Sequence, residues 1–245
     1  MNEKIDITMT AVIRPGLLDE TLFTISEKVC KNRDYFRLII NVDPVGEKIK
    51  PEKVVKVAQK YFDNVVFNIA KTPSFPRAVK WAWSQVTAPY VFHWEDDVNI
   101  LREIDVDHMI KILKKNEKLS SLRLYRGKTP ANRKSFFTFG CKWIYNEEGF
   151  YVAKDWRKQF GLNPILIKGE FVKEAAKRMV DYINPEKQFR YSQAYMRPLI
   201  KNWTYGIYAK PGESRIIDGR KGQRWKNKMK LDKPKGETFL EWEKK

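Results

Sequence analysis

Apolar positions along the first hundred residues alternate between strand-like runs and helix-like stripes. Ile5–Ile13 reads as a buried strand, broken by Arg14, Pro15 and Gly16. Leu18, Leu22, Ile25 and Val29 then recur at the spacing of a helix with one buried stripe. Residues 36–42 (FRLIINV) predict a second strand, which ends in a loop at Asp43, Pro44 and Gly46. Pro51 opens a second helix, whose inner face is Val54, Val57, Ala58 and Tyr61. Val65–Ile69 predicts a third strand, Pro73 and Pro76 flank a loop, and residues 78–86 predict a helix carrying Trp81 and Trp83. A fourth strand, residues 90–94 (YVFHW), runs directly into Glu95, Asp96 and Asp97. Strands alternating with helices of this length imply βαβ units and a mainly parallel sheet, with strands apolar on both faces because helices cover both sides.

Beyond the acidic triplet the period loosens. Residues 107–116 predict a helix and 121–125 a strand, while 126–155 carry aromatics, Lys and Gly without a clear period and read as irregular structure with a hairpin. Asn163 and Pro164 precede a short strand over 165–167. Phe171, Val172, Ala175, Met179 and Ile183 mark a helix, and 191–200 another. Residues 219–245 form a polar, basic tail. No repeat or low-complexity linker divides the chain, so it reads as one domain over 1–245.

Composition narrows the function classes. No apolar run approaches the roughly 20 residues of a membrane span, and the N-terminal stretch lacks the cleavage signature of a secretory signal, which points to the cytoplasm. Cys30 and Cys141 lie among apolar neighbours without a CxxC partner, so they read as buried free thiols. His93 falls inside a strand and reads as a core residue, and His108 as a helix surface residue; no Ser-His-Asp, GxSxG or P-loop pattern is present. Lys and Arg number 48 against 30 Asp and Glu, a formal net charge of +18, which favours polyanionic partners such as nucleic acid, an anionic membrane or a diphosphate. A Lys-rich composition with solvated faces is the ordinary alternative.

The sharpest chemical feature is Glu95-Asp96-Asp97. Three adjacent carboxylates repel one another, and at the carboxyl end of a strand in an open α/β sheet they stand where ligands bind. Mg2+ or Mn2+ takes oxygen ligands and bridges carboxylates to phosphates. Alternation along an extended segment would point Glu95 and Asp97 the same way and Asp96 the other. A solvated acidic turn is the competing reading.

The segment TAPYVFHWEDDV resembles GT-A glycosyltransferases of the family-two type, in which a strand ends in a DxD-like acidic motif. TMTAVIRPGLLDETLFTI is similar to that family's opening strand, nucleotide loop and first helix, and IINVDP to its second strand. SFPRAVKWAWSQVTAPYVF resembles the helix and strand leading to the acidic motif, NPILIKGEFVKEA the acceptor-side strand and helix, and IIDGRKGQRW a late loop that often presents a metal-binding His. The resemblance implies a GT-A, Rossmann-like fold with a nucleotide-sugar-binding half over 1–100, an acceptor half over 101–218 and the basic tail. It implies a donor site of Thr10, Arg14, Asp43, Arg77, Glu95 and Asp96, with Asp43 on the nucleoside and the arginines on nucleoside or phosphate. It implies a metal set of Asp97, Glu95 and Asp218, with Asp218 standing where the family often has His. Transfer from a nucleotide-diphosphate sugar, UDP-sugar favoured, then needs Mn2+ or Mg2+ to stabilise the leaving diphosphate. An inverting enzyme also needs a carboxylate base; Glu170, at a helix start, is the first candidate, although a Glu there is also favoured by the helix dipole. Asp155 and Glu148 are its rivals.

Basic residues concentrate in the acceptor half. Arg220, Lys221, Arg224 and Lys226 surround Trp225, and Lys128, Arg133, Lys134, Lys142, Lys154, Arg157 and Lys158 interleave with Phe136, Phe137, Phe139, Trp143, Tyr145 and Trp156. Cations with aromatics suit a phosphate backbone and exposed bases. DNA carrying a hydroxylated base, as modified by phage-type DNA glycosyltransferases, is therefore one expected acceptor, and a cell-envelope or lipid-linked acceptor its rival. A nucleic-acid-binding protein that keeps a degenerate transferase fold is the alternative from a different class.

Overall fold

A computed structural model describes residues 3–138, 140–154, 160–162, 164–189, 193–219, 229–232 and 241–244. The first half contains strand β1 (Ile5–Ile13), helix α1 (Pro15–Lys28), β2 (Phe36–Gly46), α2 (Glu52–Tyr61), β3 (Val65–Ile69), α3 (Phe75–Ser84) and β4 (Tyr90–Glu95). There follow β5 (Val98–Ile100), α4 (Val106–Lys115), β6 (Leu119–Leu124), β7 (Ser135–Thr138), β8 (Cys141–Asn146), β9 (Phe150–Ala153) and β10 (Ile165–Lys168). The chain continues through α5 (Gly169–Arg178), α6 (Pro185–Gln188), α7 (Arg197–Asn202), β11 (Thr204–Tyr208), β12 (Ile216–Asp218), β13 (Met229–Asp232) and β14 (Glu241–Lys244).

Ten strands form one sheet in the order β3-β2-β1-β4-β10-β6-β11-β9-β8-β7. The first four are mutually parallel, β10 runs antiparallel between β4 and β6, and β6 and β11 are again parallel. Beyond β11 the strands form an antiparallel meander, which is the segment without a clear sequence period. The chain adds β2 and β3 on one side of β1 and β4 on the other, so strand order reverses between β1 and β4.

The two faces of β1 explain the layers. Ile5, Ile7, Met9, Ala11 and Ile13 enter the core on the α1, α2 and α4 side. On the α3 side the positions are polar yet buried: Asp6, Thr8 and Thr10. A strand apolar on both faces was expected, and β1 departs from it because each of the first two has a partner. Asp6 accepts two hydrogen bonds from Arg37 at 2.8 Å and two from the backbone of Thr87 and Ala88 at 2.8 and 2.9 Å. The Thr8 hydroxyl lies 2.9 Å from His93 Nδ1, to which Trp83 Nε1 also donates at 3.2 Å. Burial pushes the His93 imidazole down to about 3, so it is neutral, and Trp83 donation leaves the proton on Nε2. His93 is a core residue, as its strand position implied. Both cysteines are buried free thiols.

Several boundaries move. Strand β2 continues through Asp43 and Pro44, which the sequence placed in a loop, because a bulge after Val12 shifts the register to pair Ile13 with Gly46. Gly46 takes φ 124°, and a Cβ there would stand 2.4 Å from the Ile13 carbonyl oxygen. Pro76 starts α3 rather than closing a loop, and Ser74 caps that helix by accepting from Arg77 N. Helix α5 stops at Arg178 instead of reaching Ile183, since Met179 is extended at ψ 138°. No helix among the described residues is long and apolar enough to cross a membrane.

Candidate active site

Four parallel strands bring a polar row to their carboxyl ends. Thr10 on β1 stands in register with Asn41 on β2 and Glu95 on β4, and Asn41 with Asn68 on β3. Directly opposite residues share a face of the sheet, so this row lies on the α3 side. Asn68 donates to Asn41 at 2.7 Å, and Asn41 donates to Asp43 Oδ1 at 3.0 Å. The backbone N–H of Ser74, at the start of α3, donates to Asp43 Oδ2 at 3.0 Å. Burial pushes the Asp43 carboxyl up to about 6, opposed by these hydrogen bonds and by the Arg77 charge. Arg77 itself is exposed in the first turn of α3, and its guanidinium donates to Thr72 at 3.0 Å. Asp43 and Arg77 are thus brought together, and Asn41, Asn68 and Ser74, which sequence reasoning passed over, orient the carboxylate. The alternation of INVD was the available signal, since it puts Asn41 and Asp43 on one face.

The acidic triplet sits at the reversal point. Strand β4 ends at Glu95, and Asp96 and Asp97 form the turn into β5, so strand alternation does not govern their directions. Asp96 is buried, with its carboxylate accepting from Val12 N at 3.0 Å and from Arg14 at 2.8 Å. Arg14 also reaches Asp97 at 3.4 Å. Burial raises the Asp96 carboxyl, Arg14 pulls it down, and the Asp97 charge raises it again. The Thr21 hydroxyl of α1 donates to the Asp96 carbonyl at 2.9 Å, and Asp96 N donates to the Thr10 carbonyl at 3.2 Å. Two elements therefore clamp the turn. Arg14 Nε is buried without a hydrogen-bond partner among the described residues.

Strand β12 returns to this turn. Asp218 stands opposite Val98, and Gly219 N donates to the Asp97 carbonyl at 2.7 Å. Asp218 pairs with Arg126 at 2.6 Å, a partner the sequence did not reveal. The backbones of the Asp97 turn and the end of β12 thus run side by side. The three-ligand set of Glu95, Asp97 and Asp218 is not assembled: no three His, Cys, Asp or Glu side chains converge among the described residues. Glu95 shares the α3 face with Thr10, while arginines hold the other carboxylates. Hard oxygen donors at this edge still fit Mn2+ or Mg2+, which takes one or two carboxylates and fills its shell from phosphates and water.

The candidate bases fare differently. Strand β10 runs antiparallel to β4, pairing Lys168 with Tyr90, so Glu170 lies past the amino end of β4. By strand rise that is on the order of 15–20 Å from Glu95, and Glu170 is exposed at the opposite edge. The motif matched, but the reversed strand direction carries Glu170 away from the chemistry. Glu148 lies in the turn between β8 and β9, where Lys115 and Asn116 at the end of α4 hold its carboxylate. Asp155 lies outside the described residues, as do Arg220, Lys221, Arg224, Trp225 and Lys226.

No family model matches the sequence, and no curated protein matches it. Solved structures match the fold. S. aureus TarS residues 1–349, in complex with UDP-GlcNAc, superposes with a TM-score of 0.57 at 10% identity, over 87% of this chain and 58% of that one. The mannosyltransferase PcManGT from Pyrobaculum calidifontis, in complex with GDP-Man and Mn2+, gives 0.58 at 11% identity, over 92% and 60%. The chain spans less than two thirds of the length of either neighbour, and 36% of a longer TarS chain. With its sheet flanked by helices on both faces and its acidic turn at the strand-order reversal, the chain has the GT-A glycosyltransferase fold.

Proposed function

We propose that the protein is a glycosyltransferase that moves a sugar from a nucleotide-diphosphate sugar, UDP-sugar favoured, to a hydroxyl acceptor, with a hydroxylated base in DNA as that acceptor and the cytoplasm as its setting. The observation that carries this reading is the turn at the strand-order reversal, where Asp96, Asp97 and Arg14 meet at the carboxyl ends of β1 and β4. Ligands of open α/β sheets bind at that point.

Each residue has a task in this reading. Asp43, oriented by Asn41 and the start of α3, accepts a hydrogen bond from the nucleoside. Arg14, locked by Asp96, sets a guanidinium charge beside the acidic turn, where it would meet the diphosphate. Asp97 holds the divalent ion, with Asp218 and Glu95 nearby. When bound, Mn2+ or Mg2+ stabilises the negative charge that develops on the leaving diphosphate. Glu170 takes no part, which leaves Asp155 and Glu148 as the candidate bases.

A thermal-shift screen with UDP, GDP and their sugars, with and without Mn2+, tests the proposal. A ligand at 100 times its Kd that binds only the folded state stabilises it by about 2.7 kcal/mol. The expected result is a rise in Tm that needs both nucleotide and metal and disappears in Asp97→Ala. No rise with any nucleotide, alongside salt-sensitive DNA binding that Asp97→Ala leaves intact, would leave a nucleic-acid-binding protein on a degenerate transferase fold.

A further inference from the structure

Two basic cavities open on the acceptor half, and they differ in how their charges are spent. A cavity of about 430 Å3 is lined by Lys114, Lys115, Glu117, Lys118 and Phe150. Two of these three lysines carry carboxylates, Lys114 on Glu3 and Lys115 on Glu148, which marks a largely ion-paired face. A second cavity, of about 520 Å3, is lined by Tyr125, Lys128, Arg133, Phe136, Phe137 and Lys142, with no carboxylate in its wall. Lys128, Arg133 and Lys142 make no ion pair among the described residues. Phe137 is 75% exposed on β7, the edge strand of the sheet. Phe136, the residue before it, is buried against Tyr151 and Tyr125, with ring centroids 4.7 and 5.8 Å away. The strand therefore holds Phe137 outward on a packed base.

The cleft also has a fixed place relative to the donor site. Strand β6 points the same way as β4, so the 125–134 segment leaves the edge of the sheet that carries Asp96 and Asp97. Tyr125 accepts from Arg215 N at 2.9 Å, and Arg126 pairs with Asp218, which lies opposite Val98 beside the acidic turn. Thr129 donates to the Lys210 carbonyl at 2.6 Å, pinning the segment further along.

We infer that this cleft is the acceptor subsite and that it takes a single-stranded segment of DNA, phosphates on Lys128, Arg133 and Lys142 and a base stacked on Phe137. Cations that make no ion pair among the described residues meet a phosphodiester backbone by charge complementarity, and an exposed ring on a rigid strand gives a base its stacking platform. A phosphate polymer without bases would use the cations and leave the ring idle. The inference deepens the transferase reading proposed above and rests on it only for what happens to the bound strand.

Fluorescence anisotropy with a labelled oligothymidylate, titrated into the full chain at several NaCl concentrations, tests it, with inorganic polyphosphate as competitor. Lys128→Glu/Arg133→Glu should weaken binding at least tenfold and flatten the log–log salt slope by about one to one and a half, since each phosphate neutralised on a single strand contributes about 0.7. Phe137→Ala should cost about 5- to 150-fold, the range of one base stack. Lys114→Glu/Lys115→Glu, with the same change in net charge in the other cavity, should change affinity less than threefold. Equal losses in the two double variants would overturn the subsite, as would a Phe137→Ala protein that binds like wild type. Polyphosphate that binds tighter than the oligonucleotide would overturn the choice of DNA. The UDP-and-Mn2+ thermal shift, measured on the same variants, should persist. Its absence in wild type alongside cleft-dependent DNA binding would sink the transferase and keep the subsite, and its presence without cleft-dependent binding would do the reverse.

Discussion

At the residue scale, Asp43 carries a pH signature. Its carboxyl is raised to about 6 in the fold, against about 3.9 in an unfolded chain. The folded state therefore holds the proton more tightly. The stability this group contributes is complete below about pH 4 and is lost as pH rises through 6, up to about 3 kcal/mol in all. Asp43→Asn removes the titration, so wild type should gain stability relative to the variant between pH 7.5 and pH 5, read as urea midpoints at both values. Donor binding should move the opposite way. An ionised Asp43 accepts from a nucleoside N–H more strongly than its neutral acid or an amide does, so the ratio of wild-type to Asp43→Asn affinity for UDP should shrink on acidification. A constant ratio would remove Asp43 from the nucleoside site. Glu170 supplies the converse test: exposed past the amino end of β4, it should tolerate Glu170→Gln with turnover within about twofold of wild type. A loss of a hundredfold or more, the usual cost of removing a general base, would restore it as a catalytic residue.

At the element scale, Asp6 ties three segments together at the end of the sheet away from the site. Its carboxylate joins β1 to Arg37 of β2 and to the backbone of Thr87 and Ala88 ahead of β4. Removing one partner of a buried ion pair leaves the other charge uncompensated, so Asp6→Ala should destabilise by about 3–5 kcal/mol, measured by urea unfolding. A cost under about 1 kcal/mol would show that water replaces the carboxylate. This residue also shows what could be read in advance. IDITMTAVI announces a strand, and its length and place proved right, but the sequence does not say that its polar positions are buried. That depends on Arg37, His93 and Thr87, which lie 31, 85 and 81 residues away. Residues 1–100 were legible because each strand and helix there has its own period and its own breaker, such as Pro15 and Pro51. Residues 101–218 were not. Short strands β7, β8 and β9 are defined by their partners, β11 was passed over in WTYGIY, and β12 has only three residues. Phe136 and Trp143, read as stacking surface among basic residues, are core, and Phe137 between them is exposed; pleating decides this, and only pairing with β8 sets its phase. Glu170 failed for a related reason: the motif says strand then helix, and not which way the strand runs.

At the scale of the whole molecule, residues 1–100 and residues 101–218 share one sheet and one aromatic cluster. Strand β10 belongs to both, pairing Ile165 with His93 of β4 on one side and with Arg123 of β6 on the other. Behind it, Phe171 of α5 packs against Phe160, Phe189, Trp203 and Tyr205, with ring centroids 5.7–6.3 Å apart. Phe160 in turn meets Trp83 of α3 at 6.2 Å. One half cannot unfold without stripping a strand from the other and opening this cluster. We therefore expect a single cooperative unit, with far-UV circular dichroism and tryptophan fluorescence giving the same urea midpoint. Phe171 is fully buried, so Phe171→Ala should cost about 3–5 kcal/mol and move both signals together. Two separated transitions, with Phe171→Ala shifting only one, would mean that the halves fold as independent domains. The donor site would then survive loss of the acceptor half, and a UDP-and-Mn2+ shift confined to the unmoved transition would be its sign.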